Sequence, residues 1–288
     1  MPINADLMKT ISTGFKALFT ETFNNVQSEA EILATRVNSS DLQETYPWLG
    51  DIPDMIEWVG DRTVKELSSY EYTIVNKKYE STVKVDAKYI QYDKAGLFAP
   101  AIKMMAENAK KFGSKLIVDL ILNGGTNLAY DGVAFFGTHT VGVDNYTNTS
   151  TLTLTEDNLN AAYDFMLSIK NENGRGLGVK PNLLVVGPAL RATANKLLNL
   201  DNQGTNSTYK LLDLLVIPDI SGTNWYLFDT TKAIKPFILQ VAEEGTFEAN
   251  ASAEQLFMSD SMLYGTKSFM NAGYSLWQLA YRSTGTGA

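Results

Sequence analysis

The sequence predicts an α+β fold, in which a long amphipathic helix lies between segments rich in strand-forming residues. Residues 70–75 and 79–86 alternate Tyr, Thr and Val with polar residues, which is the pattern of half-buried strands. Residues 98–122 carry apolar side chains at helical spacing, and residues 234–282 are again rich in strand patterns. Blocks of helix and blocks of strand that follow each other along a chain are typical of α+β proteins.

The composition allows a sizeable core and argues against a nucleic-acid-binding surface. The chain has 288 residues, of which 44% are hydrophobic and 19% are charged, so it can form one large domain or two modest ones. Its 24 basic and 32 acidic residues give a formal net charge of −8. Proteins that grip nucleic acid through its phosphates usually show the reverse balance. Any contact with DNA is therefore expected to be weak, local or indirect.

Single residue types exclude several classes of site. The chain has no Cys and one His, which removes disulfides, thiolate metal sites, cysteine nucleophiles and the common zinc patterns. The first residues show neither the basic nor the apolar region of a secretory signal. No run approaches the roughly 18 apolar residues of a membrane span. We therefore expect neither a secretory signal nor a membrane-spanning segment.

Residues 4–37 have the spacing of an amphipathic helix, with Phe15 and Phe19 on its apolar side. Two interpretations stay open: the helix packs as an arm on a neighbouring subunit, or it is a surface helix of its own domain. Residues 38–61 then change character, and the turn-rich part of this segment contains Trp48.

The two strand-like runs are predicted to form a ribbon whose polar tip is residues 76–78. An isolated two-stranded hairpin is only marginally stable in water, and this ribbon leads directly into the long helix. We therefore predict an arm that finds its partner on another chain. Deletion of residues 72–84 is accordingly expected to leave a folded subunit that cannot assemble.

The long helix begins near Pro100, a residue that the first helical turn tolerates. Its apolar stripe consists of Phe98, Ile102, Met105, Ala109, Phe112, Leu116 and Leu120. The opposite side carries Lys103, Lys110, Lys111 and Lys115. This lysine face either meets an anionic interior or an acidic partner, or it is solvated, which is the commoner case for such patterns.

The remaining chain is predicted to contain a loop region, an α/β-like subdomain and a final group of strands. Residues 128–154 are rich in Gly and Asn and are expected to form turns and a surface loop, and Thr155 is a helix N-cap candidate. The predicted helices lie at 156–171 and 189–198, and the predicted strands at 183–186, 211–218, 225–228, 235–241, 268–272 and 274–281.

No group of residues predicts a catalytic, cofactor or metal site. His139 lies in a loop-like run without a nucleophile elbow, so a structural or solvated role is favoured over catalysis. The Gly-rich run 173–178 lacks the Lys-Ser/Thr of a phosphate loop and is interpreted as a turn. Asp51, Asp54 and Glu57 allow a carboxylate-dependent hydrolase, but solvated charges beside a turn are favoured. We therefore predict no enzyme, no cofactor and no metal ligands.

Several motifs, taken in order along the chain, resemble the Mu-like phage major head proteins. They are YPWLGDIP at residues 46–53, EWVGDR at 57–62, NKKYE at 76–80, YDGVAFF at 130–136, KPFI at 235–238 and NAGYSLWQLAY at 271–281. Each motif is short, and the specific feature is their ordered combination from about residue 40 to residue 282.

The resemblance implies the HK97-type coat-protein fold, with an N-terminal arm, an extended loop, a long spine helix, and peripheral and axial domains. The corresponding division is 1–62 for the N-terminal arm and turn-rich segment, 63–96 for the extended loop, 97–154 for the peripheral domain with the spine helix, 155–232 for the axial domain, and 233–288 for the C-terminal strands of the peripheral domain. The residues expected to contact neighbouring subunits are Tyr70, Tyr72, Lys77, Lys78, Tyr79, Lys84, Lys88, Phe15, Phe19 and Trp48. Some relatives crosslink a Lys of the extended loop to an Asn of a neighbour, but no crosslinking motif is recognised in this sequence.

The implied function is that of a major capsid protein. Many copies would self-assemble as hexamers and pentamers into an icosahedral phage shell around double-stranded DNA, which they would contact non-specifically. Scaffold or protease proteins and a portal are the implied partners, with no membrane involved, and the virion capsid, assembled in the host cytoplasm, is the implied location. The alternatives are an encapsulin-like compartment, a carboxylate-dependent hydrolase and a monomeric binding module.

Overall fold

The computed structural model describes residues 5–47, 72–92, 95–171, 174–200 and 206–287. The helices of these residues are α1 (Ala5–Asn25), α2 (Ala87–Gln91), α3 (Ala99–Asn123), α4 (Glu156–Ser168), α5 (Arg191–Asn199) and α6 (Ala253–Ser259). The strands of the first half are β1 (Ala34–Asn38), β2 (Gln43–Tyr46), β3 (Tyr72–Val75), β4 (Lys77–Asp86), β5 (Thr138–Val141), β6 (Asp144–Thr147) and β7 (Thr149–Ser150). Those of the second half are β8 (Leu183–Val186), β9 (Asp213–Val216), β10 (Trp225–Phe228), β11 (Phe237–Asn250), β12 (Ser261–Tyr274) and β13 (Ala280–Ser283).

Two larger sheets organise these elements. One has four strands in the order β1-β11-β12-β4, and α1 and α3 pack on it. The other has five strands in the order β7-β13-β10-β8-β9, and α4 and α5 pack beside it. Two short antiparallel pairs, β2 with β3 and β5 with β6, complete the described strands. The mixture of helix-covered antiparallel and mixed sheets confirms the predicted α+β class.

Helix α3 confirms the predicted long helix almost residue for residue. Pro100 lies in the first turn of the helix. Its residues Ile102, Ile117 and Ile121 are fully buried. Gly113 marks a close contact of α3 with its neighbours, because a Cβ at this position would lie 2.8 Å from a carboxylate oxygen of Glu31 and 3.0 Å from the side chain of Leu239. The absence of a side chain therefore lets the helix lie directly on β11 and on the 3-10 turn Glu29–Leu33.

The N-terminal helix is shorter than predicted and belongs to its own domain. It ends at Asn25, and the predicted continuation to residue 37 is wrong, because residues 34–38 form β1, which pairs in parallel with β11. Phe15 and Phe19 are buried in the same chain, where their rings contact Tyr264 at 5.0 Å and Phe247 at 5.3 Å. Their assignment as contacts to a neighbouring subunit is therefore wrong for this structure. Burial against α3 and β12 makes α1 part of the core.

The predicted free-standing ribbon is also wrong. Its first strand, β3, pairs with β2, and its second, β4, pairs with β12 from the residue pair Lys77–Met270 to the pair Asp86–Ser261. The supposed tip residue Asn76 is only 6% exposed, and its side-chain amide donates to Ser39 Oγ and to the backbone carbonyl of Asp41. The chain therefore passes from one sheet into the next at Asn76, where we expected a turn.

The surface loop predicted at residues 141–150 is partly a hairpin. Strands β5 and β6 pair there, and Asn148 directly after them is fully buried. Its amide nitrogen lies within hydrogen-bond distance of the carbonyls of Phe135, Trp277 and Ala280, at 2.9, 3.3 and 3.2 Å. Its side-chain oxygen accepts from the N–H of Gly137 at 2.8 Å. Asn148 therefore ties three separate chain segments together.

The α/β-like segment confirms the sequence expectations most closely. The strands at 183–186 and 225–228 have the predicted bounds, and Thr155 caps α4 by accepting a hydrogen bond from the N–H of Asn158. The predicted strand at 274–281 is instead divided, because the 3-10 turn Trp277–Leu279 separates β12 from β13. Strand β13 pairs with β10 of the five-stranded sheet, so a boundary at residue 232 does not separate the two sheets.

Candidate subunit-contact surfaces

Strand β4, at one edge of the four-stranded sheet, carries four of the ten predicted contact residues. Lys77, Lys78 and Lys84 are exposed, and Lys88 follows in the exposed first turn of α2. Tyr79 is half-buried, and its ring lies 4.4 Å from that of Phe112 on α3. Burial, with a smaller effect of the Asp119 charge, raises the pKa of the Tyr79 phenol. The strand thus combines accessible cations with an aromatic side chain held against α3.

The other predicted contacts divide into two groups. Tyr72 is held within its own chain, because its phenol oxygen accepts a hydrogen bond from the N–H of Tyr274 at 2.9 Å, and burial raises its pKa. Tyr70 and Trp48 lie outside the described residues, as do Asp51, Asp54 and Glu57 of the hydrolase hypothesis.

A narrow groove separates β4 and β12 from α3. Its volume is about 170 Å³, and its walls include Tyr79, Ser81, Phe112, Thr266 and Ser268. Thr266 is 7% exposed, and its Oγ1 has no hydrogen-bond partner among the described residues. A buried polar atom without a partner is uncommon in native proteins, so this groove is an unusual feature of the surface.

One end of the four-stranded sheet carries a cluster of exposed apolar side chains, which we call the apolar tip. The N–H of Ala87 donates to the carbonyl of Asp260, which joins α2 to the end of α6, and the Tyr89 ring packs on Phe98. The tip consists of Tyr89, Tyr92, Leu97, Phe257 and Met258, which are between 47% and 89% exposed. Apolar surface gathered in this way marks interaction sites.

The lysine face of α3 is divided by the fold. Lys103, Lys111 and Lys115 are exposed, but Lys110 forms an ion pair with Glu244 at 3.3 Å. Arg36 binds the same carboxylate at 2.5 Å. Burial alone would raise the pKa of Glu244, but the hydrogen bond and charge of Arg36, together with Lys110, hold that pKa below its ordinary value. Glu244 therefore fastens β1 and α3 to an irregular part of β11.

Replacing Glu244 with Gln is expected to lower the free energy of unfolding at neutral pH by about 1 kcal/mol. The expected loss is modest because the Arg36 side chain is 42% exposed, so solvent screens its charge. The lowered pKa means that the charged carboxylate stabilises the fold above its unfolded-state pKa, and that this contribution disappears as the pH falls through the folded-state value. Urea unfolding at pH 7 and in acid measures the difference. Glu21→Gln on the exposed side of α1 is the control, and equal stability of Glu244→Gln and wild type at pH 7 would contradict the role of the pair.

His139 is a buried structural residue, which confirms the structural interpretation and corrects its placement in a loop. It lies in β5 and is fully buried, and its ring stacks on Trp277 at a centroid distance of 4.1 Å. Its Nδ1 lies 2.6 Å from a carboxylate oxygen of Asp131, and its Nε2 lies 3.2 Å from the carbonyl oxygen of Phe135. Both ring nitrogens are therefore engaged with groups of the protein itself.

Two further kinds of site are absent from the described residues. No three acidic, His or Cys side chains there are grouped closely enough to hold a metal ion. No helix of that same part of the chain is both long and apolar enough to cross a bilayer.

Sequence reasoning missed two features of these surfaces. The unsatisfied Thr266 hydroxyl and the buried Asn148 amide arise from contacts between residues far apart in the chain. For Asn148 the only signal was an Asn within a Gly- and Asn-rich segment, which is equally typical of exposed turns.

Comparison with known proteins shows one consistent likeness. The family model of the Mu-like prophage major head subunit gpT matches residues 8–152, 142–220 and 218–286. The chain is 27% identical over 290 residues to the Mu-like prophage FluMu major head subunit of Haemophilus influenzae, covering 98% of this chain and 75% of the relative. It is 26% identical over 275 residues to the major capsid protein of Escherichia phage Mu, with coverage of 95% and 72%.

Solved structures show the same likeness at the level of the fold. A chain of the bacteriophage JBD30 procapsid superposes with a TM-score of 0.63 at 28% identity, covering 98% of this chain and 76% of the other. A virus-like particle from Pyrococcus furiosus superposes with a TM-score of 0.54 at 12% identity, covering 94% and 98%. At that identity the second likeness concerns the fold alone.

Proposed function

The chain belongs to the Mu-like prophage major head subunit gpT family, and from this membership we propose that it self-assembles as hexamers and pentamers into a closed icosahedral shell. It is a major head protein with the HK97-type fold of phage capsids. The proposal depends mainly on the family match over nearly the whole chain. It is supported by the superposition on the JBD30 procapsid chain, which covers 98% of this chain.

The surfaces of the subunit support assembly through several separate contacts. Three candidate contact surfaces lie on or beside the four-stranded sheet: strand β4 with its exposed lysines, the groove next to it, and the apolar tip. Each of them covers only a small part of the surface of the subunit. Contacts that are individually weak can hold a lattice together, because each subunit makes several at once and their energies combine when the shell closes. We place the peripheral domain around this sheet and α3, and the axial domain around the five-stranded sheet, to which β13 also contributes beyond the predicted range 155–232.

The extended loop implied by the family resemblance does not coincide with β4. Strand β4 pairs with β12 along its whole length, so residues 77–86 do not form a projecting loop. Residues 63–71 of the predicted loop lie outside the described residues.

The charge of the chain fits a container for DNA. With a net charge of −8, the shell would contact packaged double-stranded DNA non-specifically and release it readily. Scaffold or protease proteins and a portal are the proposed partners of assembly in the host cytoplasm, and the subunit itself is proposed to have no enzymatic activity. An encapsulin-like compartment is the second candidate, because the Pyrococcus furiosus particle shares the fold.

Electron microscopy of the purified protein tests the proposal. We expect closed shells, capsomers or tubes of regular width, and size-exclusion chromatography should show a species far larger than the 31.7 kDa chain. Nuclease-protected double-stranded DNA in particles isolated from induced cells would favour a phage head, whereas protein cargo without DNA would favour the compartment. Two results together would contradict both the phage head and the compartment. They are a single 31.7 kDa species at every concentration, and no particle in cells that also express the proposed assembly partners.

A further inference from the structure

Strand β4 is the last strand of its sheet. It pairs with β12 over its whole length, and among the described residues no strand pairs with its other side. The N–H of Ala87, next to the strand, donates to the carbonyl of Asp260 at 3.0 Å, which fixes the alternation of inward and outward backbone groups. Because these groups alternate in an antiparallel pair, the N–H and C=O groups of every even-numbered residue from Lys78 to Asp86 point away from β12. This outer edge offers a row of donors and acceptors to another strand.

The helix that covers this sheet leaves the outer edge accessible. Helix α3 packs mainly on β11 and β12, and it reaches β4 through contacts such as that of Phe112 with Tyr79. Side chains alternate between the two faces of a strand, so the even-numbered residues of β4 lie on the face opposite Tyr79. The side chains at 78, 80, 82 and 84 are exposed there. The edge is therefore open to a strand of another subunit.

The charges along this edge change sign in a symmetrical order. The even-numbered residues of β4 are Lys78, Glu80, Thr82, Lys84 and Asp86. An antiparallel copy of the strand that is centred on Thr82 reverses this order, so that Lys78 faces Asp86 of the partner subunit. In the same way Glu80 faces the partner's Lys84, and Thr82 faces its own copy. Because opposite charges across a strand pair stabilise it, the edge is complementary to itself.

Other central registers of the same two strands are less favourable. A two-fold axis through Glu80 or through Lys84 would place like charges directly opposite each other. An axis through Ser81 would bring two lysines together, and an axis through Val83 would bring two carboxylates together. Like charges opposite each other destabilise a strand pair. The axis at Thr82 is the central register that gives every charge of the edge an opposite partner.

The charged side chains of the edge are available for such pairs. No ion pair joins any of these four side chains to another described residue. Glu80 accepts a hydrogen bond from the Thr82 hydroxyl at 2.7 Å, and Asp86 accepts one from the N–H of Lys88 at 2.8 Å. A carboxylate can accept several hydrogen bonds, so both acidic groups can still bind a lysine of a second copy.

We propose that β4 pairs with β4 of a second copy of this chain across a two-fold axis at Thr82, which joins the two four-stranded sheets into one continuous sheet. The contact is isologous, because both copies contribute the same edge. Backbone hydrogen bonds between the facing residues provide the affinity, and the cross-strand ion pairs set the register. This inference rests on the proposed shell function and names one of its contacts, because an icosahedral shell contains two-fold axes at which such a pair fits.

Charge exchange tests the register. Lys84→Glu places a carboxylate opposite the partner's Glu80, and we expect particle yield to fall at least tenfold, with a circular dichroism spectrum and an unfolding midpoint close to those of wild type. Adding Glu80→Lys to the same chain restores an opposite pair and should restore the yield. The two positions are roughly 13 Å apart along one strand at about 3.3 Å per residue, so this rescue acts between copies and not within one chain.

Lys84→Glu combined with Glu21→Lys is the control for this rescue. Glu21 is exposed on α1, so this variant has the net charge of the rescued protein without the change at the edge. We expect it to remain defective. Three results would each overturn the proposal: wild-type yield from Lys84→Glu, equal rescue by Glu21→Lys and Glu80→Lys, or a folded Lys84→Glu/Glu80→Lys variant that stays defective.

The absence of cysteine provides a second measurement that does not depend on charge. Thr82→Cys introduces the only thiol of the chain, and the proposed pairing brings the two Cα atoms at this position to about 5.5 Å, which a disulfide can span. We expect mild oxidation of particles to give a covalent dimer on a non-reducing gel. Lys77→Cys is the matched control, because Lys77 is also exposed on β4 but its two copies would lie roughly 33 Å apart.

The outcomes separate this inference from the proposed function. Thr82→Cys particles that give no dimer, or equal dimer formation by Lys77→Cys, would overturn the pairing and leave the shell function intact. A Thr82→Cys dimer without any particle, also from the wild-type chain, would support the pairing and contradict the proposed function. Absence of both the dimer and the particles would contradict both.

Discussion

Deleting residues 72–84 is expected to unfold the subunit, contrary to the expectation from sequence that a folded but assembly-incompetent protein would remain. The deletion removes β3 and most of β4, with Ile74 that is buried in the core. It also exposes Tyr264 and Met270, which lie on the partner strand β12. Burial of each such side chain contributes about 1.5–3 kcal/mol, so the combined loss is similar to the roughly 5–15 kcal/mol that holds a typical domain folded.

Expression as soluble protein, circular dichroism and protease resistance measure this result. The matched comparison replaces residues 51–68 with a short Gly-Ser linker. Tyr46 and Tyr72 are paired neighbours, whose Cα atoms in such pairs are about 5 Å apart, so a short turn can join them. We expect this variant to fold and to lose particle formation. A folded protein after deletion of 72–84 would refute the placement of β4 in the sheet.

Asn148→Ala is expected to be the most destabilising single substitution outside the apolar core. It leaves the N–H of Gly137 without the acceptor Asn148 in a fully buried site, and it takes the Asn148 amide away from the carbonyls of Phe135, Trp277 and Ala280. Of these carbonyls, that of Phe135 keeps its contact with His139, and that of Trp277 keeps the N–H of Ala280. Unpaired buried polar groups cost about 1–3 kcal/mol each, and allowing for rearrangement we expect a loss of about 3–5 kcal/mol. Thermal unfolding should show a decrease in Tm of about 10 °C for a chain of this size.

Asn145→Ala is the control for this prediction. Asn145 is exposed on the neighbouring strand β6, where its side-chain oxygen accepts a hydrogen bond from the Thr140 hydroxyl. Its replacement should change the free energy of unfolding by about 0.5 kcal/mol or less. Similar effects of the two substitutions would mean that Asn148 does not join the three segments as the hydrogen bonds indicate.

The parts of the fold that local pattern controls could be read from the sequence. The stripe from Ile102 to Leu120 predicted α3, and the short apolar run at 183–186 predicted β8. Thr155 predicted the start of α4 because an N-cap satisfies backbone donors within its own first turn. The family resemblance depended in the same way on short motifs, each of which is continuous in the chain.

The candidate contacts were harder to predict, because strand residues look alike whether their partner belongs to the same chain or to another. The alternation in residues 77–86 correctly predicted a strand, but nothing in it identified β12 as the neighbour. Phe15 and Phe19 likewise formed an apolar helical face that a neighbouring subunit or the chain's own β12 could equally cover. The fold decides between such partners through the summed burial of distant residues.

The sequence by itself therefore determined the fold class, the long central helix, the α/β-like segment and the capsid family, since each depends on periodicity or on continuous motifs. Only the tertiary structure decided that β4 lies within its own sheet, that α1 is part of the core, and that Asn148 and His139 are buried. The physical reason is that pairing and burial join residues that are distant in the chain, such as Lys77 and Met270. A local pattern specifies that a surface must be covered, but it does not specify which strand or helix covers it.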